Sequence, residues 1–173
     1  TFKWKFKATW FSPFTEKLVL ATRTEFGFLG AYNQDLGVSP FERFYVGGDG
    51  LSGMGYMNDG RELVALRGYA NNSISPQTGA TIYNKYTAEI RYALSLNPTS
   101  TMYAHAFLEA GNAWEKFENF NPFGVKRSVG VGIKIMLPMI GMMGLDYGWG
   151  LDEIPGNSEA NGGQFHFSIG QNF

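Results

Sequence analysis

Cysteine is missing from all 173 residues, which excludes a disulfide framework and any thiolate metal site. Net charge is nearly missing too. Fourteen Lys and Arg against fifteen Asp and Glu leave a formal −1, too little for a nucleic-acid surface, so no nucleic-acid partner is expected. No run approaches the roughly 18 consecutive apolar residues of a membrane helix. The opening Thr1-Phe2-Lys3-Trp4-Lys5-Phe6-Lys7 alternates, where a signal peptide would place a basic stretch before an apolar one. What the chain has in excess is aromatic residues, 16%, and glycine, 23 residues. The mean hydropathy is negative, −0.18. That value does not exclude a transmembrane barrel, because half of every barrel strand faces a polar lumen.

Period-two alternation runs through most of the length and predicts strands. In Thr1–Trp10, Phe2, Trp4, Phe6, Ala8 and Trp10 share one face, opposite Lys3, Lys5, Lys7 and Thr9. One aromatic face and one lysine face suit lipid outside and water inside. Lys17–Phe28 follows, with Arg23 and Glu25 inward, and then Thr81–Ser95, with Thr87, Glu89 and Arg91 inward. Thr101–Trp114 turns Tyr103, His105, Phe107, Glu109 and Gly111 inward. Arg127–Leu137, Met142–Trp149 and Gly162–Phe173 complete seven strands in one unit spanning 1–173.

The connections alternate short and long, as in transmembrane barrels with tight periplasmic turns and longer extracellular loops. The fold class expected is therefore all-β, an antiparallel transmembrane β-barrel. Seven strands do not close a bacterial single-chain barrel, whose strand numbers are even and start at eight. The sequence thus reads as the C-terminal part of a larger barrel.

Residues 29–80 break the alternation. A structureless loop that long is uncommon in a compact domain and is usually functional or disordered. Phe41, Phe44, Tyr45, Tyr56, Leu63, Leu66 and Tyr69 give it many groups that favour burial, against disorder. The expectation is an ordered loop folded back onto the strands, with Arg67 near its tip. Gly68 allows a tight turn there.

These residues resemble a known family. Pro40-Phe41-Glu42-Arg43-Phe44-Tyr45-Val46-Gly47-Gly48, followed by Leu66-Arg67-Gly68-Tyr69, is similar to the sixth extracellular loop of the Omp85 superfamily. Phe107-Leu108-Glu109-Ala110-Gly111-Asn112-Ala113-Trp114 resembles its acidic strand motif, and Gln164–Phe173 its carboxy-terminal β-signal strand. The order of motifs is similar to that of the family's outer-membrane protein assembly factors, in the last seven of about sixteen barrel strands.

The resemblance implies that the loop enters the lumen and that Arg67 meets Glu89 and Glu109, bracing the barrel with Leu66, Gly68, Tyr69 and Phe107. It implies that the last strand, 162–173, seams weakly with the first as a lateral gate. Gly170, a glycine inside this strand, reads as a bend, with a lumen-side gap filled by a neighbour's side chain as the alternative. Phe165, Phe167, Ile169 and Phe173 alternate as a lipid-facing stripe, to which the resemblance adds a targeting signal. The implied partners are unfolded outer-membrane β-barrel proteins as substrates, accessory assembly lipoproteins and outer-membrane lipid, in a Gram-negative outer membrane. Periplasmic POTRA domains accompany such barrels. No cofactor and no enzymatic activity are expected. The alternatives are a polypeptide transporter of the same superfamily, whether a two-partner secretion or a translocation pore, and a plain outer-membrane channel.

Other chemistry-bearing residues have simpler readings. His105 and His166 each stand alone on a lumen face, without a metal site's second ligand, and read as ordinary lumen histidines. Lys3, Lys5, Lys7, Arg23 and Lys134 read as a solvated inner wall balanced by Glu25, Glu89, Glu109 and Asp146. Gly47-Gly48-Asp49-Gly50 precedes no helical pattern, which excludes a phosphate loop. Asp49, Asp59 and Glu62 lack calcium-loop spacing.

Overall fold

The computed structural model describes residues 1–33, 37–49, 62–97, 100–138, 141–157 and 159–169. The alternating segments form strands β1 (Phe2–Pro13), β2 (Leu18–Gly30), β5 (Ile82–Asn97), β6 (Ser100–Trp114), β7 (Lys126–Leu137), β8 (Gly141–Gly150) and β9 (Gly163–Ile169). They make one seven-stranded sheet in the order β1-β2-β5-β6-β7-β8-β9, antiparallel throughout. Apart from the long loop, every strand pairs with its neighbour in sequence.

Register carries the inner set of side chains across the sheet. Glu89 faces Phe107, Glu109 faces Ser128, Gly132 faces Asp146, and Asp146 faces His166. One irregularity, between Ala93 and Ser95, shifts the β5–β6 register near its short turn.

The two faces have inverted polarity. Glu89, Glu109, Lys134, Asp146 and His166 are buried, while Trp4, Leu108, Val131, Leu145 and Phe165 are exposed. A water-soluble fold would reverse this, because ionised groups are almost never buried unless paired. The arrangement fits an outer face covered by hydrocarbon and an inner face covered by protein.

The covering on the inner face is the long loop. The described part of the loop is ordered and folded back, and it contains short regular elements that the lack of alternation did not reveal. Phe44–Val46 (β3) and Glu62–Val64 (β4) pair in parallel, and a short 3-10 turn spans Pro40–Glu42. Such strands are too short to show a period, and their burial comes from packing on a sheet remote in sequence. Phe44, Val46, Val64, Leu66 and Tyr69 join Leu29, Tyr83 and Ala113 in one buried apolar cluster. Strand ends also move: β1 extends to Pro13 and β2 to Gly30, beyond the alternation.

Candidate functional site

Two ends of the loop are fixed differently. Near its base, Lys3 of β1 lies 2.7 Å from Glu42 and 3.2 Å from Glu62, and Lys5 lies 3.1 Å from Glu62. The hydrogen bond from Lys3 holds the Glu42 carboxyl below its ordinary range. At the far end, the Leu66 amide donates to the Gly48 carbonyl at 3.1 Å and turns Arg67 toward the sheet. Gly68 has φ +86°, a left-handed conformation open to glycine and costly for other residues.

Arg67 is gripped from four sides. Glu109 on β6 accepts from the Arg67 backbone N–H at 2.9 Å through Oε2, and from Nε at 3.1 Å and Nη2 at 2.7 Å through Oε1. Nη2 also donates to Glu89 on β5 at 3.3 Å, and Nη1 to Asp146 on β8 at 3.0 Å. The Phe107 ring closes the remaining side, its centroid 3.5 Å from the guanidinium carbon, a cation–π contact. Arginine suits this site because its planar fork presents several donors at fixed angles and stays charged.

Around this core, Lys85 donates to the Ala65 carbonyl at 2.6 Å and lies 3.2 Å from Glu109. Arg91 donates to Glu89 at 2.6 Å. His105 Nε2 lies 2.7 Å from Asp146 and 3.3 Å from Arg67 Nη1. Such a buried network is tolerable only because opposite charges and hydrogen bonds compensate the lost hydration.

Beyond Arg67 the chain passes over β8 toward β9. The Gly68 amide donates to His166 Nε2 at 2.8 Å. Tyr69 donates its hydroxyl to the Arg127 carbonyl at 2.6 Å and receives the Asp152 amide at 3.2 Å. Ala70 donates to the Ala160 carbonyl at 2.7 Å. Arg127 clasps Asp152 through Nε at 3.0 Å and Nη2 at 2.8 Å, and this hydrogen bonding holds the Asp152 carboxyl below its ordinary range.

The residues singled out for the loop–lumen site, Leu66, Arg67, Gly68, Tyr69, Glu89, Phe107 and Glu109, therefore meet at one place. Phe165, Phe167 and Ile169 lie on the outer face of β9, exposed. Gly170 and Phe173 lie outside the described residues. The reading of the two histidines as isolated lumen residues is corrected: His105 stands beside Asp146 and Arg67, and His166 binds the loop tip. Asp146 is likewise part of the cluster, not general wall charge, and Lys85, which the sequence reading did not single out, joins it. Strand parity already turned His105 inward, but cross-strand register, which joins Asp146 to His166, is not written in local sequence.

Within this assembly the Arg67 guanidinium meets carboxylates on three strands, and the Gly68 amide ties the same loop tip to a fourth. No curated protein shows a match to this sequence. The family model of the Omp85 superfamily domain matches residues 1–173, the whole chain, motif loop and sheet together. A chain matched over its entire length, with the loop arginine seated among inward acids of an antiparallel sheet, belongs to the Omp85 superfamily.

Proposed function

We propose that this chain is part of a BamA-type assembly factor, which folds and inserts β-barrel proteins into the bacterial outer membrane without enzymatic chemistry. The observation that supports this reading is the anchored loop. Its tip is buried against β5, β6 and β8, so that the inner face is occupied and the membrane side is left as the route for a client. The strands also shorten from 16 residues in β5 to 15, 12 and 10 in β6, β7 and β8, narrowing the apolar belt toward the end of the chain. A narrow belt thins nearby lipid. A weakly seamed last strand supplies backbone partners that hydrocarbon lacks, and an incoming strand adds to it by β-augmentation. In this reading the barrel has about sixteen strands. It works with periplasmic domains and accessory lipoproteins, and no cofactor takes part.

The test uses the full-length protein in liposomes, supplied with its accessory lipoproteins. The folding rate of an unfolded outer-membrane barrel protein is followed with wild type, Arg67→Ala and empty liposomes. Acceleration by wild type that falls in the variant is expected. No acceleration by wild type overturns the reading in favour of polypeptide transport.

A further inference from the structure

The contact between His166 and Gly68 joins two elements whose relative position matters for a strand that opens. His166 lies on β9, one strand beyond Asp146 of β8 and paired with it in register. Its side chain is buried, and Nε2 sits 2.8 Å from the Gly68 nitrogen. A backbone N–H can only donate, so Nε2 must present a lone pair there and the ring proton must sit on Nδ1. The approach is made possible by β8 between them. A Cβ at Gly148 would stand 2.6 Å from the Gly68 nitrogen, so the missing side chain lets the loop tip reach across.

We infer that His166 is a positioning residue that latches β9 to the loop tip as a hydrogen-bond acceptor, and that protonation of its ring opens the latch. An imidazolium has no lone pair. It would aim Nε2–H at the Gly68 N–H, two donors face to face, next to the Arg67 guanidinium. Among the described residues, the charged groups around His166 are Arg67 and Asp49 in the loop, Glu109 on β6 and Asp146 on β8. A proton on the ring is therefore coupled to how firmly Arg67 is seated. The lateral edge is then weakest in acid, and loop and edge strand are coupled through one proton. This inference rests on the proposed function only for its use: the latch itself is a property of the folded chain.

The test is hydrogen exchange of the β9 amides in the full-length protein in liposomes, corrected for the intrinsic pH dependence of exchange, from about pH 7.5 to about pH 5, where imidazoles change charge. Wild type is expected to lose β9 protection on acidification by roughly fivefold, the size of one hydrogen bond. His166→Gln is expected to keep its protection across the range, because its amide oxygen accepts a hydrogen bond without titrating. In parallel, ring nitrogen shifts of His166 in wild type should show the Nδ1–H tautomer at neutral pH and titrate together with the exchange change. An identical pH response in wild type and His166→Gln, or a ring titration that leaves exchange unmoved, overturns the latch. Should His166→Gln fail to fold, the wild-type ring titration against exchange still decides. Client folding measured in the same liposomes separates the two readings. A pH-sensitive β9 with no client acceleration overturns the assembly function and leaves the latch standing.

Discussion

Arg67 and Glu109 share three hydrogen bonds, and one of them comes from the arginine's own backbone amide. A single carboxylate therefore fixes both the direction of the side chain and the path of the loop. Their side chains are 5% and 1% exposed. Removing either partner takes the main counter-charge from a buried ion, leaving Arg67 only Glu89 and Asp146 or leaving Glu109 only Lys85, at a cost of up to about 3–5 kcal/mol. Glu109→Gln and Arg67→Ala should each lower stability by that order in urea titrations of the bilayer-embedded protein. The double variant should lose much less than their sum, the signature of a coupled pair.

Arg67→Lys tests geometry apart from charge. An ammonium cannot reach Glu109, Glu89 and Asp146 in one fork, nor lie flat on Phe107. Lysine should therefore rescue little, and loop cleavage by added protease should rise nearly as in Arg67→Ala. Full rescue by lysine would show that charge alone seats the loop.

Gly148 and Gly150 form the floor under the loop tip. A Cβ at Gly148 meets the Gly68 backbone, and one at Gly150 meets the Gly68 carbonyl oxygen. Backbone cannot step aside as a flexible side chain can. Gly148→Ala should destabilise by about 1–3 kcal/mol, the usual cost of overpacking, and should expose the tip to proteolysis. Gly124→Ala, whose nearest neighbour is the Asn121 side chain at 3.3 Å, is the control and should change little.

Val131 is exposed on the outer face, in register with Ala106 on one side and Tyr147 on the other. If that face meets hydrocarbon, Val131→Arg should cost up to about 2–4 kcal/mol, the range for a lipid-facing arginine at the bilayer midplane. Folding yield in bilayers checks it, and an unchanged yield would contradict a lipid-covered face.

Asp152 gives a pH-dependent clasp outside the spanning strands. Its carboxyl is held below the ordinary range by Arg127, so the folded form releases its proton more readily than the unfolded chain. That stabilisation is present above the ordinary carboxylate range and is lost as pH falls through the lowered value. Acid should loosen the 151–162 segment in limited proteolysis with an acid protease. Asp152→Asn should be loosened already at neutral pH, with its own acid response reduced.

The strands were legible in the sequence because period two is a local property. Alternation alone placed Glu89, Phe107 and Glu109 on one face and Leu108 and Val131 on the other. The loop tip was legible for a different reason: Leu66-Arg67-Gly68-Tyr69 is a short motif whose family partners are known by order, and the partners Glu89 and Glu109 followed from parity. Missed were the residues whose role depends on which strands lie side by side. His105 and His166 stand 61 positions apart in the chain and read singly as ordinary. Antiparallel register puts His105 next to Gly132, Gly132 opposite Asp146, and Asp146 opposite His166.

By itself the sequence determined an inside-out sheet of seven strands and an arginine loop folded onto it, since polarity alternation and turn chemistry act between near neighbours. Tertiary structure alone decided that the loop forms a small parallel pair and that glycines on β8 admit its backbone. It also decided that one histidine on β9 receives the Gly68 amide. Those outcomes depend on distances of a few ångströms between segments far apart in the chain, which only packing fixes.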